Sequence, residues 1–275
     1  MIDSHHHLWQ YSQEEYPWIP QESVLSKNYL LDELHAVTSS AGVEGTVAVQ
    51  ARQIIEETRW LLGLAAKSPV IRGVVGWLPL IDEGIEQMLD EWQHEGRLKG
   101  LRHVLQEEAD EYFSRPEFHR GLSALAKTHL RYDLLIFERQ LEVATAMIDL
   151  HPELPIIIDH IAKPEIHKGR ISEKWKKGMC EIAQRDHVIG VKISGMATEV
   201  RDAEIDQATL HAYFEETLAI FGPNKLMFGT DWPVCLLRLD SYQQCAFMMR
   251  AFVASLSENE QQNILTNNAV RCYDL

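Results

Sequence analysis

The stretch "IDSHHHLWQ" occupies residues 2–10 and sets His5, His6 and His7 almost at the first residue. The run is shorter than a purification tag, and Ile2, Leu8 and Trp9 flank it closely. It therefore reads as part of the fold rather than as a solvated tail. If "MID" (1–3) is a strand, the histidines stand at its C-terminal end. In extended chain alternate residues share a face, so His5 and His7 point one way and His6 the other. A doubly wound nucleotide-binding sheet would follow its first strand with a glycine-rich phosphate turn, and none is present.

Further apolar, β-rich runs follow: "VEGTVAVQ" (43–50), "IRGVVGWLPL" (71–80), "LKGLRHVL" (98–105), "YDLLIF" (132–137), "LPIIIDH" (154–160), "VIGVKISG" (188–195) and "KLMFGTDW" (225–232). Several lack polar alternation, as strands covered on both faces do. Between them the apolar spacing is helical over 29–40, 54–67, 83–95, 117–129, 140–150, 172–186, 206–220, 239–255 and 258–265. Gly42 is placed to stop the first helix, and Pro116, Pro152 and Pro223 fall at element edges. Eight strands separated by helices predict an α/β fold, a (β/α)8 TIM barrel formed as a single domain over 1–275.

The 275 residues carry 26 Lys plus Arg against 41 Asp plus Glu, a formal charge of −15. Such an acidic chain repels nucleic acid and anionic membranes, and the partner expected is a small molecule. No run has the roughly 18 apolar residues of a membrane span, and the start lacks a secretory pattern. Cys180, Cys235, Cys245 and Cys272 form no C-x-x-C pair, so free thiols in a reducing cytoplasm are expected. The sequence is compatible with a homo-oligomer.

Barrel active sites lie where strands end. The strand-end polar residues are His5 and His7; Gln50 and Arg52; Arg102 and His103; Asp159, His160 and then Lys163; Lys192 and Ser194; and Thr230 and Asp231. His5, His7, His160 and Asp231 form a coherent set, able to hold one divalent metal, zinc first. Asp231 can instead take a proton from water. Taken singly, a buried histidine is most simply a satisfied core residue, and an aspartate after Gly-Thr is a common helix cap. The coincidence of the four at predicted strand ends carries the argument.

With H-x-H at His5 and His7, "IDHIAKP" (158–164), "VKISGM" (191–196) and "FGTDWPV" (228–234), the chain resembles the amidohydrolase superfamily. "DSHHHLW", "GVVGWLPL" and "KGLRHVLQ" resemble its "amidohydrolase 2" branch of sugar-acid lactonases. The resemblance implies hydrolysis of a sugar-acid lactone in carbohydrate metabolism. Asp231 would be the general base, with His5, His7 and His160 polarising the carbonyl or holding a metal. Arg102 is expected on substrate oxygens, with His103 and Lys163 in support. Trp9 and Trp232 are expected to wall the sugar, and Trp18 lies in the same predicted loops. Many relatives add a histidine at strand five and a bridging residue at strand four. Here those places read "LLIFERQ" and "GLRHV", so one metal or none is expected, not two. A metal-dependent decarboxylase and a non-catalytic sugar-binding barrel are the competing readings.

Overall fold

The computed structural model describes residues 1–275. Eight strands, β1 (Ile2–His6), β2 (Gly45–Val49), β3 (Ile71–Gly76), β4 (Leu98–His103), β5 (Arg131–Leu134), β6 (Ile156–Ile158), β7 (Val188–Ile193) and β8 (Leu226–Phe228), lie in chain order in one parallel sheet. Helices follow them: α1 (Leu31–Ala41), α2 (Ile55–Lys67), α3 (Ile85–Trp92), α4 (Pro116–Leu125), α5 (Leu141–Asp149), α6 (Glu173–Ile182), α7 (Gln207–Phe221) and α8 (Tyr242–Val253). The expected TIM barrel is the fold found.

The barrel closes just beyond β8. The Asp231 amide donates to the His5 carbonyl at 2.8 Å, and the His7 amide donates to the Trp232 carbonyl at 2.6 Å. The seam thus sets the histidine run of β1 beside Asp231 and Trp232, which follow β8.

Several boundaries differ from expectation: β3, β6 and β8 are shorter than their apolar runs, and three further differences bear on the site and its support. β1 runs on through His6, because its backbone pairs with β2 as far as Ala48. β5 stops at Leu134, short of Phe137, where its pairing with β6 ends at Ile158. After α9 (Glu258–Gln262) the chain makes a π-turn at Asn263–Asn267 and a further helix, α10 (Asn268–Tyr273), which was not anticipated.

β1 pairs Ile2 with Gly45 and Asp3 with Thr46, but His6 with Ala48. Three residue steps on β1 oppose two on β2, which is a bulge that re-aims side chains. Before the bulge, Ile2 joins Val47, Val49, Val75, Ile157 and Met227 in an apolar cluster packed on Ala269, Cys272 and Tyr273 of α10. Asp3 turns the other way, to Thr230 Oγ1 at 2.6 Å and Tyr242 Oη at 2.9 Å.

Next to that apolar cluster lies a layer of buried charge. Lys192 Nζ contacts Asp133 Oδ2 at 2.5 Å, Asp159 Oδ1 at 2.8 Å and His5 Nδ1 at 3.1 Å. Tyr273 Oη donates to Asp133 Oδ2 at 2.7 Å, and Arg102 Nη1 donates to Asp159 Oδ2 at 3.0 Å. Two cations thus face two carboxylates, and removing one member leaves an uncompensated buried charge. Lys192→Met is expected to cost about 3–5 kcal/mol, read by urea unfolding. Adding Asp133→Leu should recover part of that loss. A single-variant cost below about 1 kcal/mol would contradict the pairing.

Candidate active site

The floor of a cavity at the strand ends is built from the seam. That cavity, of about 370 Å³, is lined by His7, Arg102, His160, Lys163 and Asp231, among others. Asp231 Oδ1 lies 3.3 Å from His7 Nε2, 3.8 Å from His5 Nε2 and 3.9 Å from His160 Nε2. His5 Nε2 and His7 Nε2 are 3.2 Å apart. Four residues that the sequence spreads over 227 positions, 5 to 231, therefore meet around one carboxylate oxygen.

Each ring is set by its other nitrogen. His7 Nδ1 donates to the Val49 carbonyl at 2.8 Å, so in the neutral ring Nε2 presents a lone pair. His160 Nδ1 meets Ser194 Oγ at 2.8 Å. Burial, and then the Lys192 ammonium, hold His5 well below the usual imidazole range against the pull of Asp159. Burial brings His160 down to about 4, although Asp231 and Asp159 oppose the shift. Burial alone would raise the Asp231 carboxyl, but His160 and His7 outweigh it and keep the group below the usual range. The site thus sets the Asp231 carboxylate among three buried imidazoles.

Local backbone explains how β6 and β8 deliver their groups. Asp231 sits at φ 57°, and His160, Ile161, Ala162 and Lys163 all have φ between 44° and 59°. Four left-handed residues in succession, one of them β-branched, are costly on average by about 1–2 kcal/mol each. The turn is secured where Trp175 Nε1 donates to the Ile161 carbonyl at 2.7 Å. It brings His160 and Lys163 to the same cavity.

Not every expected residue faces the substrate space. Trp9 is fully buried, with its Nε1 donating to the Lys27 carbonyl at 3.0 Å. Trp232 is buried between Tyr29 and Tyr242, at centroid distances of 5.1 and 6.3 Å. His103 follows Arg102 on β4, so alternation turns it away from the interior. It bonds Glu108 Oε1 at 2.9 Å and stacks on Tyr112 at 4.9 Å. These three shape the wall from behind and do not line the cavity. Arg102 does line it while also donating to the Gln50 carbonyl at 2.5 Å. Lys163 lines it too, bonded to Gln106 Oε1 at 2.9 Å and Glu199 Oε1 at 3.2 Å.

The charge layer of Asp133, Asp159 and Lys192 joins three strands and goes beyond the strand-end pattern. Its signal was available: Asp133 and Lys192 interrupt apolar strand runs at inward positions. Arg52, Gln53 and Leu135 also line the cavity, the last because β5 ends early.

A carboxylate among imidazoles at the C-terminal mouth of a (β/α)8 barrel defines the class of barrel enzymes that act through water or a metal at this face. Residues 2–275 match the family described as Amidohydrolase, and the chain belongs to that family. An L-fucono-1,5-lactonase of Burkholderia multivorans (strain ATCC 17616 / 249) is 36% identical over 286 residues, covering 100% of this chain and 96% of the relative. An L-fucono-1,5-lactonase of Burkholderia ambifaria is 32% identical over 238 residues, covering 86% and 81%. The crystal structure of an amidohydrolase from Burkholderia multivorans with bound zinc superposes with a TM-score of 0.94 at 35% identity, covering 100% and 99%.

One glycine tests the architecture. Gly195 has φ +66°, and a Cβ there would stand 2.7 Å from His160 Nδ1. Gly195→Ala is expected to cost about 1–2 kcal/mol in thermal or urea unfolding and to shift the His160 ring resonances. Unchanged stability with unshifted His160 signals would contradict this packing.

Proposed function

We propose that this protein hydrolyses sugar-acid lactones, with Asp231 as general base. The observation that carries the reading is the convergence of Asp231 Oδ1 with His7 and His160 at the cavity floor and with the buried His5 behind them. The lactonase names of its relatives support the substrate class. A water on Asp231 Oδ1 attacks the lactone carbonyl and gives its proton to the carboxylate. The acyl–oxygen bond of the ring breaks, and Asp231 returns that proton to the departing ring oxygen. With Ser194 donating to His160 Nδ1, the neutral ring carries its hydrogen on Nε2 and offers it to the carbonyl oxygen. Arg102, fixed by Asp159 and Gln50, adds a positive edge beside His5, 3.4 Å from its Nε2.

The charges around the cavity favour a neutral lactone over a carboxylate-bearing substrate. Arg102 is paired with Asp159, Lys163 with Glu199, and Arg52 with Glu15 at 2.6 Å. Each cation already has its anion, which leaves little to attract the carboxylate of a decarboxylase substrate. Binding alone gives no reason for a carboxylate aimed at three imidazoles, which weighs against a non-catalytic barrel. Four free thiols support residence in a reducing compartment, the cytoplasm. No helix is long and apolar enough to cross a membrane.

The same groups fit a single metal ion. His5 Nε2, His7 Nε2 and Asp231 Oδ1 are spaced 3.2, 3.3 and 3.8 Å apart. Donors of a tetrahedral zinc with bonds of about 2.0–2.1 Å stand roughly 3.3 Å apart. His5, His7 and Asp231 would hold it, and when bound it would supply Lewis-acid polarisation of the carbonyl or of water. Arg102 in place of a bridging ligand argues for one ion. Zinc-loaded protein is expected to carry one equivalent by elemental analysis, and His7→Ala to lose it. Two equivalents per chain would contradict the single-site reading.

The activity is tested by a pH-indicator screen of aldonolactones. Wild type is expected to consume at least one of them, and Asp231→Asn, still folded, to lose about 10²–10⁴-fold in kcat. Full turnover by that variant would remove Asp231 from the chemistry.

A further inference from the structure

We infer that Trp18 is the platform on which the apolar C–H face of the lactone ring rests, an inference that builds on the proposed lactonase reading. Of the seven tryptophans, Trp9, Trp175 and Trp232 are buried, and Trp18 alone lines the cavity. The residue is 45% exposed, high for so large an apolar side chain. An aldonolactone is neutral but two-sided: hydroxyls ring its edge, while its C–H bonds form an apolar face. The cavity has matching halves, with Asp231, His160 and Arg102 at the floor and Trp18 with Leu135 and Val234 in its walls.

Trp18 sits in a stretch between β1 and α1 that has no helix, yet its position is built rather than loose. Its ring meets the buried Trp9 edge-on at 5.8 Å. Trp9 and Tyr29 exchange backbone hydrogen bonds of 3.0 and 2.9 Å. Two residues before Trp18, Tyr16 lies under the Arg52 guanidinium at 4.9 Å and donates to Glu57 Oε1 at 3.2 Å. Arg52 also grips Glu15. The clasp ties this segment to the loop after β2, whose Arg52 and Ala51 amides donate to the buried Glu57 at 2.7 and 2.8 Å. A preorganised indole loses little entropy when a ring stacks on it.

The test uses L-fucono-1,5-lactone with wild type, Trp18→Ala and Trp18→Phe. Trp18→Ala is expected to raise KM about tenfold with kcat within about twofold, and Trp18→Phe to restore most of the loss. A second readout does not depend on turnover. Lactone added to Asp231→Asn should change tryptophan fluorescence, and the change should vanish in Asp231→Asn/Trp18→Phe. An unaltered KM in Trp18→Ala, or a fluorescence change that persists without Trp18, overturns the inference while leaving the lactonase reading intact. Failure of wild type to hydrolyse any aldonolactone overturns that reading and this inference with it.

Discussion

The contact on which the site rests is the buried bridge from Lys192 to Asp159, 2.8 Å long, with both side chains wholly enclosed. Asp159 would be driven up by burial, but Lys192, His5 and Arg102 reverse that and hold it well below the usual carboxylate range. As an anion it faces His5 Nδ1 at 3.4 Å and accepts from Arg102. The same carboxylate therefore orients one member of the imidazole set and one cation of the cavity. Asp133 completes the layer from β5, and Tyr273, brought in by α10, donates to it. The last helix thus supports the charge layer that underlies the candidate site.

A charge layer of this kind is not the cheapest way to fill a barrel, since apolar side chains would avoid the cost of desolvation. Its effect here is positional. It fixes His5 beneath His7 and Asp231 and leaves Arg102 paired yet still at the cavity wall. The left-handed turn at 160–163 and the left-handed Asp231 add strain, and burial, the Trp175 bond and the β1–β8 seam offset it. Strained and charged elements lie within one small volume, which marks where the fold trades stability for chemistry.

Much of this was legible in the sequence, for a physical reason. Strands covered on both faces stand out as apolar runs, and the barrel rule then points to whatever polar residue ends each run. That logic led to His5, His7, His160 and Asp231. It failed where side-chain direction matters more than position along the chain. His103 neighbours Arg102 yet faces outward, because adjacent strand residues oppose each other. Trp9 and Trp232 flank the site in sequence but are consumed in packing, while Trp18, farther along the loop, reaches the cavity. The β1 bulge, the left-handed turn and α10 have no strong local signature. Asp133 and Lys192 were readable only as misplaced charges whose partners come from other strands.

The central claim is that Asp231 delivers water to the acyl carbon and does not itself bond to the substrate. Repeated turnover in oxygen-18 water, followed by mass spectrometry of product and of the peptide containing Asp231, tests it most directly. The account predicts one labelled oxygen in the product carboxylate, none in the released hydroxyl, and an unlabelled Asp231. Label in the Asp231 carboxylate would mean a covalent acyl intermediate and would contradict it.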